Sequence, residues 1–393
     1  MERKLIQLSD VITDIAAGPF GSNLKVSCFV NDGFPIIDGA NLKSFKVTDN
    51  ITKFVTEEKA RSLHRSIAKR GDIVVTISGT LGQIAYIPDD SNYEEYLCSQ
   101  RQFRVTFDTT KVYVPYLVFY FHTYEGKHKI LSFANQVGVP ALSQPLKNFR
   151  QISVQLPTLE TQKKIASIVE SINGKIEQNE IINNNLEQQA QAIYQQMFID
   201  NARSDWAEGT LSDIADITMG QSPSGSSYNE DGTGTIFFQG RAEFGFRFPS
   251  VRLYTTEPKR MARSNDTLMS VRAPVGDLNV AHMDCCIGRG LAAIHSKSHH
   301  QSFVLYTMFS LKKQLNVFNG EGTVFGSINR NSLNDMPILI PSDDILDEFE
   351  RIVAPMDLTI RNNYDENCRL QDIRDTLLPR LMSGELDVSD IDI

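Results

Sequence analysis

The residues best suited to chemistry in this chain are basic and amide side chains on loops. Arginine, glutamine and asparagine can bind base edges through paired hydrogen bonds, whereas lysine mostly meets phosphate. These residues occur in two series, so the sequence indicates two surfaces that could contact DNA. The first series comprises Lys43, Arg61, Arg65, Lys69, Gln100, Arg101, Gln136, Ser143 and Gln144. The second comprises Arg241, Lys259, Arg260, Arg272, Arg289, Ser327 and Arg330. Any one of them could equally be a solvated surface residue.

Sequence motifs for catalysis are weak or missing. Segment 220–227, GQSPSGSS, has the glycine spacing of a phosphate loop but lacks its lysine, and it does not lie between a buried strand and a helix. The adjacent pairs His299–His300 and Cys285–Cys286 cannot both point at one metal ion from a regular strand, so we expect no metal site. The sequence carries neither the signature of an amino-methyltransferase nor a cofactor glycine motif. It therefore favours a non-catalytic protein without a cofactor of its own.

Charge and composition set further limits. The net charge of −9 has the wrong sign for a nucleic-acid binder, so DNA contacts need local basic patches or a more positive partner. The five cysteines show no CxxC spacing, which argues against a disulfide framework and a zinc site. The sequence has no apolar run long enough to span a membrane and no apolar signal-peptide core near the N-terminus. We therefore expect a cytoplasmic protein without membrane contact.

Two long helices must position these surfaces. Between Thr158 and Ile199 most apolar residues fall three or four positions apart, which predicts a long helix with one narrow apolar stripe. The same pattern returns 184 residues later, and so does the proline ahead of it (Pro157 and Pro341). Such stripes need a partner, so we expect the two helices to pack antiparallel. Pro379 should end or kink the second helix near Thr376.

Asparagines interrupt both apolar stripes at matching positions: Asn179 matches Asn363, and Asn183 matches Asn367. A buried asparagine at a helix seam lowers stability but fixes register and partner. In an antiparallel pair, the middles of the two helices meet, and the four amides could hydrogen-bond together. The alternative is that these side chains face solvent.

The segments ahead of the helices also repeat, which indicates a duplicated domain. The clearest match is a strand at 71–77 with a counterpart at 265–271, in which Asp72 and Asp266 should bind local amides in the turn that starts the strand. A basic stretch with helical character precedes each strand, at 57–70 and 257–264. A further strand at 101–105 matches one at 289–293, which aligns Arg101 with Arg289. The predicted fold class is α/β, with two mixed globules and two long helices. Its predicted domains are 1–157 and 204–341 for the globules, 158–203 for the first helix, and 342–393 for the second helix and tail.

Three segments resemble one protein family. LPTLETQKKIASIV (156–169) resembles the start of the central region of type I restriction–modification specificity subunits, and RDTLLPRLMSGELDV (374–388) resembles their C-terminal region. RGDIVVTISGTLG (70–82) is similar to a strand motif in their target recognition domains. The resemblance covers the whole chain in the order typical of the family.

The resemblance implies a non-catalytic subunit whose two target recognition domains each read one half of a split, asymmetric site in double-stranded DNA. The helices would set the gap between the half-sites and dock two modification subunits, which carry S-adenosylmethionine and methylate adenine. Two restriction subunits, the ATP- and Mg-dependent motor and nuclease, could then join. Some members carry a short tandem repeat at the end of the central helix, and the segment QAQAIYQQMFID (189–200) shows none.

Two other functions stay open on the sequence. The chain could be a coiled-coil adaptor whose two globules bind protein, which predicts no preference for any DNA site. It could also be an enzyme, such as a methyltransferase with a degenerate motif, which predicts turnover of S-adenosylmethionine by the chain alone.

Overall fold

The computed structural model describes residues 3–135, 140–320, 326–388 and 391. Gln136, one of the predicted DNA-contacting residues, lies outside these ranges. The chain forms two compact units: unit 1 comprises Met1–Ile176 and Cys368–Ile393, and unit 2 comprises Glu177–Asn367. The boundaries between these units fall within the two long helices, so each long helix belongs partly to unit 1 and partly to unit 2. The predicted domain boundaries, which keep each helix whole, stay a prediction.

The elements of unit 1 alternate short strands with a few helices. The strands are β1 (Lys4–Gln7), β2 (Ile12–Ala17), β3 (Phe29–Val30), β4 (Phe34–Ile37), β5 (Phe54–Val55), β6 (Ile67–Lys69), β7 (Ile73–Thr76), β8 (Ile84–Tyr86), β9 (Glu95–Cys98), β10 (Gln102–Phe107), β11 (Ala134–Asn135), β12 (Ala141–Leu142) and β13 (Ser153–Leu156). The helices are α1 (Glu57–Ser62), α2 (Val114–His122), α3 (Tyr124–Leu131), α4 (Pro145–Gln151) and the first part of α5 (Leu159–Tyr194).

The elements of unit 2 follow the same plan. The strands are β14 (Ala207–Thr210), β15 (Ala215–Met219), β16 (Tyr228–Asn229), β17 (Thr235–Phe238), β18 (Leu253–Thr255), β19 (Met261–Ala262), β20 (Thr267–Ser270), β21 (Leu278–Val280), β22 (Cys285–Ile287), β23 (Leu291–Ser296) and β24 (Pro337–Ile340). The helices are α6 (Leu211–Ile214), α7 (Gln301–Ser310), α8 (Lys312–Leu315), α9 (Arg330–Asn334) and the first part of α10 (Asp343–Ser383). A π-helical turn, Gln195–Asp200, continues α5.

The sheets of the two units have equivalent strand orders. A four-stranded sheet runs β2-β10-β7-β8 in unit 1 and β15-β23-β20-β21 in unit 2. A five-stranded sheet runs β3-β5-β4-β9-β6 in unit 1 and β16-β18-β17-β22-β19 in unit 2, each with one parallel pair, β4–β9 or β17–β22. Strands β10 and β23, at equivalent places in the two four-stranded sheets, are both largely buried. The expected duplication of a mixed α/β globule is confirmed.

The turn that starts β7 and β20 forms as predicted. The amide of Lys69 donates to Asp72 Oδ2 at 2.9 Å, and the amide of Arg263 donates to Asp266 Oδ2 at 2.8 Å. The residue before each aspartate has a left-handed backbone, with φ of 83° at Gly71 and 75° at Asn265. Glycine and asparagine are the residues that tolerate this region best, so the same turn is specified by two different sequences.

The basic stretches ahead of these turns differ between the units. Residues 57–70 form α1, a short 3-10 turn and β6, so helical character is confirmed only for the first part. For 257–264 the prediction is wrong, because this segment has no helix and contributes only the short strand β19. Pro258 lacks the amide hydrogen that a helix interior needs, and pairing of β19 with β22 uses the residues that follow.

The long helices form, and their apolar stripes pack within each unit. In unit 1, Ile165 and Val169 of α5 share a core with Leu378 and Leu381 of α10. In unit 2, Ala190 and Tyr194 share a core with Phe349, Val353 and Ile360. Helix α10 runs on to Ser383, so Pro379 does not end it, and the alternative that Pro379 kinks the helix stays a prediction. A proline removes one helix hydrogen bond, and burial of the following Leu381 and Met382 in the core of unit 1 offsets that loss.

The seam asparagines hydrogen-bond in two pairs within unit 2. Asn179 Nδ2 donates to Asn367 Oδ1 at 2.8 Å, and Asn363 Nδ2 donates to Asn183 Oδ1 at 2.8 Å. The earlier residue of α5 thus meets the later residue of α10, which shows that the helices are antiparallel here. Asn179, Asn183 and Asn367 are buried, so these three side chains do not face solvent. That the pairs fix the register stays a prediction.

Candidate nucleic-acid interface

A glycine brings a loop against the end of the central strand in each unit. The Gly18 amide donates to the carbonyl of Gln102 at 2.8 Å, and the Gly220 amide donates to the carbonyl of Leu291 at 2.9 Å. A Cβ at Gly18 would lie 1.8 Å from the carbonyl oxygen of Ser99, and one at Gly220 would lie 2.1 Å from that of Gly288. Only glycine permits this approach. Each loop is therefore held beside the turn that leads into β10 or β23.

In unit 1 this arrangement forms a surface that we call the first edge surface, comprising residues 18–21, 78–83, 99–102 and 144–147. It contains two pockets of about 500 and 700 Å³, and Ser78, Gln100 and Arg101 line both. Gln144 and Lys147 line the larger pocket. The adjacent residues Gln100 and Arg101 thus meet Gln144, which is distant in sequence, on one surface. Ser143 is adjacent to it.

Two inward-facing amides, one half-buried and one buried, hold the first edge surface in shape. The side chain of Gln83 donates to the Gly39 carbonyl at 3.1 Å and accepts from the Thr76 hydroxyl at 3.2 Å. Gln102, which is buried, accepts a hydrogen bond from the Ser99 hydroxyl. By contrast, Gln100, Arg101 and Gln144 are exposed. The inner amides therefore support the turn, while the outer side chains face solvent.

Unit 2 has an equivalent surface, the second edge surface, comprising residues 220–227, 271–277, 288–291 and 326–330. The Arg289 amide donates to the Ser222 hydroxyl at 3.3 Å, and Arg272 pairs with Ser327 in a single antiparallel bridge. Asn329 caps α9, which starts at Arg330, by accepting from the amide of Ser332 at 2.9 Å. Arg272, Arg289, Ser327 and Arg330 are all exposed. The structure therefore brings these four predicted residues together.

Three further cations of the second series lie close to this surface. Arg241 forms an ion pair with Asp277, which also binds Lys312 at 2.6 Å. Burial raises the pKa of Asp277, but the hydrogen bonds from Lys312 and Arg241 outweigh burial and leave the pKa below its ordinary value. The Arg260 carbonyl accepts from the Ile287 amide, beside the Gly288 turn, and the neighbouring Lys259 is exposed.

Part of the first series lies elsewhere. Strand β9 runs from Glu95 towards the edge turn, so Glu95 marks the opposite end of the strand. There Glu95 binds Lys69 at 3.1 Å and also pairs with Arg61, which binds Glu57 at 2.8 Å. Hydrogen bonds to Glu95 and Glu57 raise the pKa of Arg61. Because Arg61 and Lys69 already face carboxylates, they are poorer phosphate contacts than the sequence indicates.

The remaining members of the first series are exposed on loops. Arg65 precedes Ser66, whose hydroxyl donates to the Ala17 carbonyl at 2.9 Å, close to the base of the first edge surface. Lys43 follows the turn at 39–41. Within the described residues, no hydrogen bond or ion pair of either side chain distinguishes these two from ordinary surface cations.

Comparison with known proteins decides the family. The family model described as "Type I restriction modification DNA specificity domain" matches residues 22–188 and 203–363. These two matches cover most of the chain. The chain belongs to the type I restriction–modification DNA specificity family.

Full-length relatives agree with this family membership. A Methanocaldococcus jannaschii protein, provisionally named the specificity subunit of type I restriction enzyme MjaX, is 26% identical over 91% of this chain and 88% of its own length. The Haemophilus influenzae HindI specificity subunit is 22% identical over 81% of this chain and 87% of its own length. The solved S subunit of a type I system from M. genitalium has a TM-score of 0.61 at 13% identity, covering 97% of this chain and 96% of that one, which shows a shared fold.

The register of the paired strands corrects one predicted equivalence between a residue of unit 1 and a residue of unit 2. Gln102 pairs with Thr76 in unit 1, and Leu291 pairs with Ser270 in unit 2. Counting back two residues from these pairs, Arg289 is the counterpart of Gln100 and not of Arg101. The sequence aligned the two arginines because arginine matches arginine, whereas hydrogen-bond register depends on the backbone.

Three residues on the first edge surface or beside it were not predicted from the sequence. Phe20, in the loop 18–21, is 84% exposed, which is unusual for a phenylalanine. Lys53 and Lys147 line the two pockets. The segment GPFGS at 18–22 carried a usable signal, because a phenylalanine between glycines on a loop has little chance of burial.

In the part of the chain that the structure describes, every helix lacks the length and apolarity of a bilayer span.

Proposed function

We propose that this chain is the non-catalytic subunit that reads the DNA sequence for a type I restriction–modification enzyme. Unit 1 reads one half of a bipartite, asymmetric site, and unit 2 reads the other. The observation that carries the proposal is that one folding frame presents different side chains at equivalent edge positions. Gln100 and Ser78 in unit 1 correspond to Arg289 and Arg272 in unit 2. A shared frame with different exposed groups suits two different short sequences.

The chemistry of these side chains suggests which bases each unit prefers. Arginine binds the O6 and N7 atoms of guanine, and glutamine binds the N6 and N7 atoms of adenine, each through two hydrogen bonds. Arg272 and Arg289 therefore favour guanine in the half-site of unit 2. Gln100 and Gln144 favour adenine in the half-site of unit 1. Lys147 is suited to phosphate, which positions the duplex without reading it. Lys53 already binds Asp38 at 2.6 Å and is therefore the poorer phosphate contact.

Partner subunits supply the chemistry in this proposal. Two modification subunits dock on the helical region and bring S-adenosylmethionine, and two restriction subunits bring the ATP- and Mg-dependent motor and nuclease. The net charge of −9 supports this division of roles, because a duplex is held better when partners add positive charge. Such an assembly works on DNA in the cytoplasm.

The helices also set the gap between the half-sites in this proposal. Insertion of four residues near Gln189 lengthens α5 by about 6 Å, which corresponds to about two base pairs of duplex. Sequencing of methylated bases in a host carrying the insertion measures the gap. An unchanged gap would show that the helix length does not set it.

The proposal is tested with the chain assembled with its modification subunits. We expect tight binding to one bipartite sequence and a steep loss of affinity as salt rises, because binding releases counterions from phosphates. Equal binding to all duplexes would favour the adaptor. Methyl transfer by the chain alone would favour the enzyme.

A further inference from the structure

Two histidines and an aspartate converge in unit 2, away from the residues assigned to DNA. His299 and His300 lie in the turn between β23 and α7, and Asp347 lies near the start of α10. The Nε2 atoms of both histidines lie 2.8 Å from Asp347 Oδ1. The two imidazole rings are 4.0 Å apart. The expectation that these adjacent histidines cannot face one point assumed a strand, but they occupy a turn.

The surroundings orient one ring and leave the other accessible. Ser298 Oγ hydrogen-bonds His300 Nδ1 at 2.9 Å, which holds the opposite nitrogen, Nε2, towards Asp347. His300 is buried, whereas the side chain of His299 is 74% exposed and that of Asp347 is 57% exposed. A hydrogen bond to the far nitrogen of a histidine is the arrangement that positions metal-binding imidazoles. The group thus has a fixed inner side and an open outer side.

The corresponding turn of unit 1 is attached to its long helix by different residues. There, the turn ahead of α2 is tied to α5 by Gln162, which accepts from the Tyr113 amide at 2.9 Å and donates to the Lys111 carbonyl at 3.1 Å. The residue 184 positions before Asp347 is Lys163, a cation. Both units therefore fasten this turn to a long helix, but only unit 2 does so with groups that can bind a metal.

We propose that His299, His300 and Asp347 bind a divalent transition-metal ion of the zinc class. Two imidazole nitrogens and one carboxylate oxygen supply three ligands, and water completes a tetrahedron on the open side. Donor atoms around tetrahedral zinc lie roughly 3.3 Å apart, given bonds of about 2.0–2.1 Å. The three donor groups lie within 4.8 Å of one another, so small side-chain rotations complete the site. The ion fastens the β23–α7 turn to α10 inside unit 2.

Metal content of the purified full-length chain tests this site. After EDTA treatment and dialysis against ZnCl2, we expect one zinc per chain by plasma mass spectrometry. Competition with a chromogenic chelator gives the affinity. His299→Ala should weaken binding at least tenfold, and Asp347→Asn should do the same. Zinc should raise the Tm of the unaltered chain and not that of His299→Ala, because a ligand stabilises only a fold that binds it. Magnesium should have no such effect, since it prefers oxygen ligands.

Matched variants separate this site from other zinc ligands on the chain. His128, exposed in unit 1, gives the control: His128→Ala should keep the full stoichiometry and affinity. Because the side chain of His299 is mostly exposed, His299→Ala should keep the native circular dichroism spectrum. Cobalt should give the intense visible absorption of a tetrahedral site in the unaltered chain and lose it in His299→Ala. Absence of bound zinc, or unchanged affinity in His299→Ala, would overturn the proposal.

Discussion

Phe45 and Arg247 occupy the same position in the two units but join their globules to the helices by different chemistry. The Tyr86 amide donates to the Phe45 carbonyl at 3.0 Å, and the Val280 amide donates to the Arg247 carbonyl at 2.8 Å, which establishes the equivalence. In unit 1, the phenylalanine packs edge-on against Phe119, and Arg374 of α10 lies 5.5 Å above its ring. The contact between globule and helix in unit 1 is therefore aromatic, and its cation, Arg374, belongs to the helix.

In unit 2 the cation comes from the globule. Arg247 is only 4% exposed and binds Glu187 of α5 at 2.9 Å and Asp357 of α10 at 3.0 Å. The Tyr306 ring lies 5.8 Å away and its hydroxyl also binds Asp357. The two units therefore share the backbone hydrogen bond at this position, whereas the side chains that contact the helices differ. A buried charge cluster depends on all its members. Loss of one member should therefore destabilise unit 2 more than loss of Phe45 destabilises unit 1.

Removal of the Arg247 charge should have the largest effect. Arg247→Met leaves Glu187 and Asp357 uncompensated and should lower the free energy of unfolding of unit 2 by about 3–5 kcal/mol. Phe45→Ala removes a half-buried ring and should lower that of unit 1 by about 2 kcal/mol. Trp206, the single tryptophan, lies in unit 2, so its fluorescence during urea unfolding reports on that unit.

The Trp206 transition should therefore shift in Arg247→Met and stay unchanged in Phe45→Ala. Adding Glu187→Gln and Asp357→Asn to Arg247→Met should restore much of the stability, because no uncompensated charge then remains. An unchanged Trp206 transition in Arg247→Met, or an equal shift in Phe45→Ala, would contradict the comparison.

The edge surfaces offer a second comparison, at equivalent positions. Arg289→Ala should cost about 1–3 kcal/mol of discrimination at one base pair of the half-site read by unit 2. Gln100→Ala should have a similar effect in the other half-site. Binding of the assembled complex to duplexes substituted in one half at a time measures both effects. Each variant serves as the control for the other, and relaxation of the wrong half-site would refute the residue assignment.

The asparagine pairs of unit 2 should respond unequally. Asn367→Ala leaves the buried Asn179 short of one partner and should destabilise unit 2 by about 1–2 kcal/mol in urea unfolding. Asn363→Ala should have a smaller effect, because Asn363 is only half-buried. The double variant Asn179→Leu with Asn367→Leu should be at least as stable as the original chain but less strict in helix register. Equal losses in the two single variants would argue against burial as the cause.

The exposed phenylalanine should have the smallest effect. Phe20→Ala should leave stability unchanged and weaken DNA binding several-fold, since an exposed aromatic side chain beside a recognition surface can stack on bases or wedge between them. Phe20→Trp provides the control, because it keeps an aromatic ring at the same position of the loop. Binding isotherms at fixed salt give both values, and equal effects in the two variants would show that Phe20 has no special role.

The sequence by itself determined the features that depend on near neighbours. Apolar spacing fixed the two long helices, and the offset of 184 residues fixed the duplication. The turns at Asp72 and Asp266 follow from residues within three positions, where a short carboxylate meets local amides after a residue that tolerates a left-handed backbone. The family motifs belong to the same class of information, because they are contiguous segments.

Only the tertiary structure decided which charges remain exposed and which polar groups meet. Arg61 and Arg289 look alike in sequence, but Glu95 neutralises the first across 34 residues. Arg247 was not singled out, because its burial depends on two helices far along the chain. His299 and His300 face Asp347 because a turn and a helix 47 or 48 residues away are packed together. Electrostatic partners are set by distance in space, and local sequence constrains that distance only within a few residues.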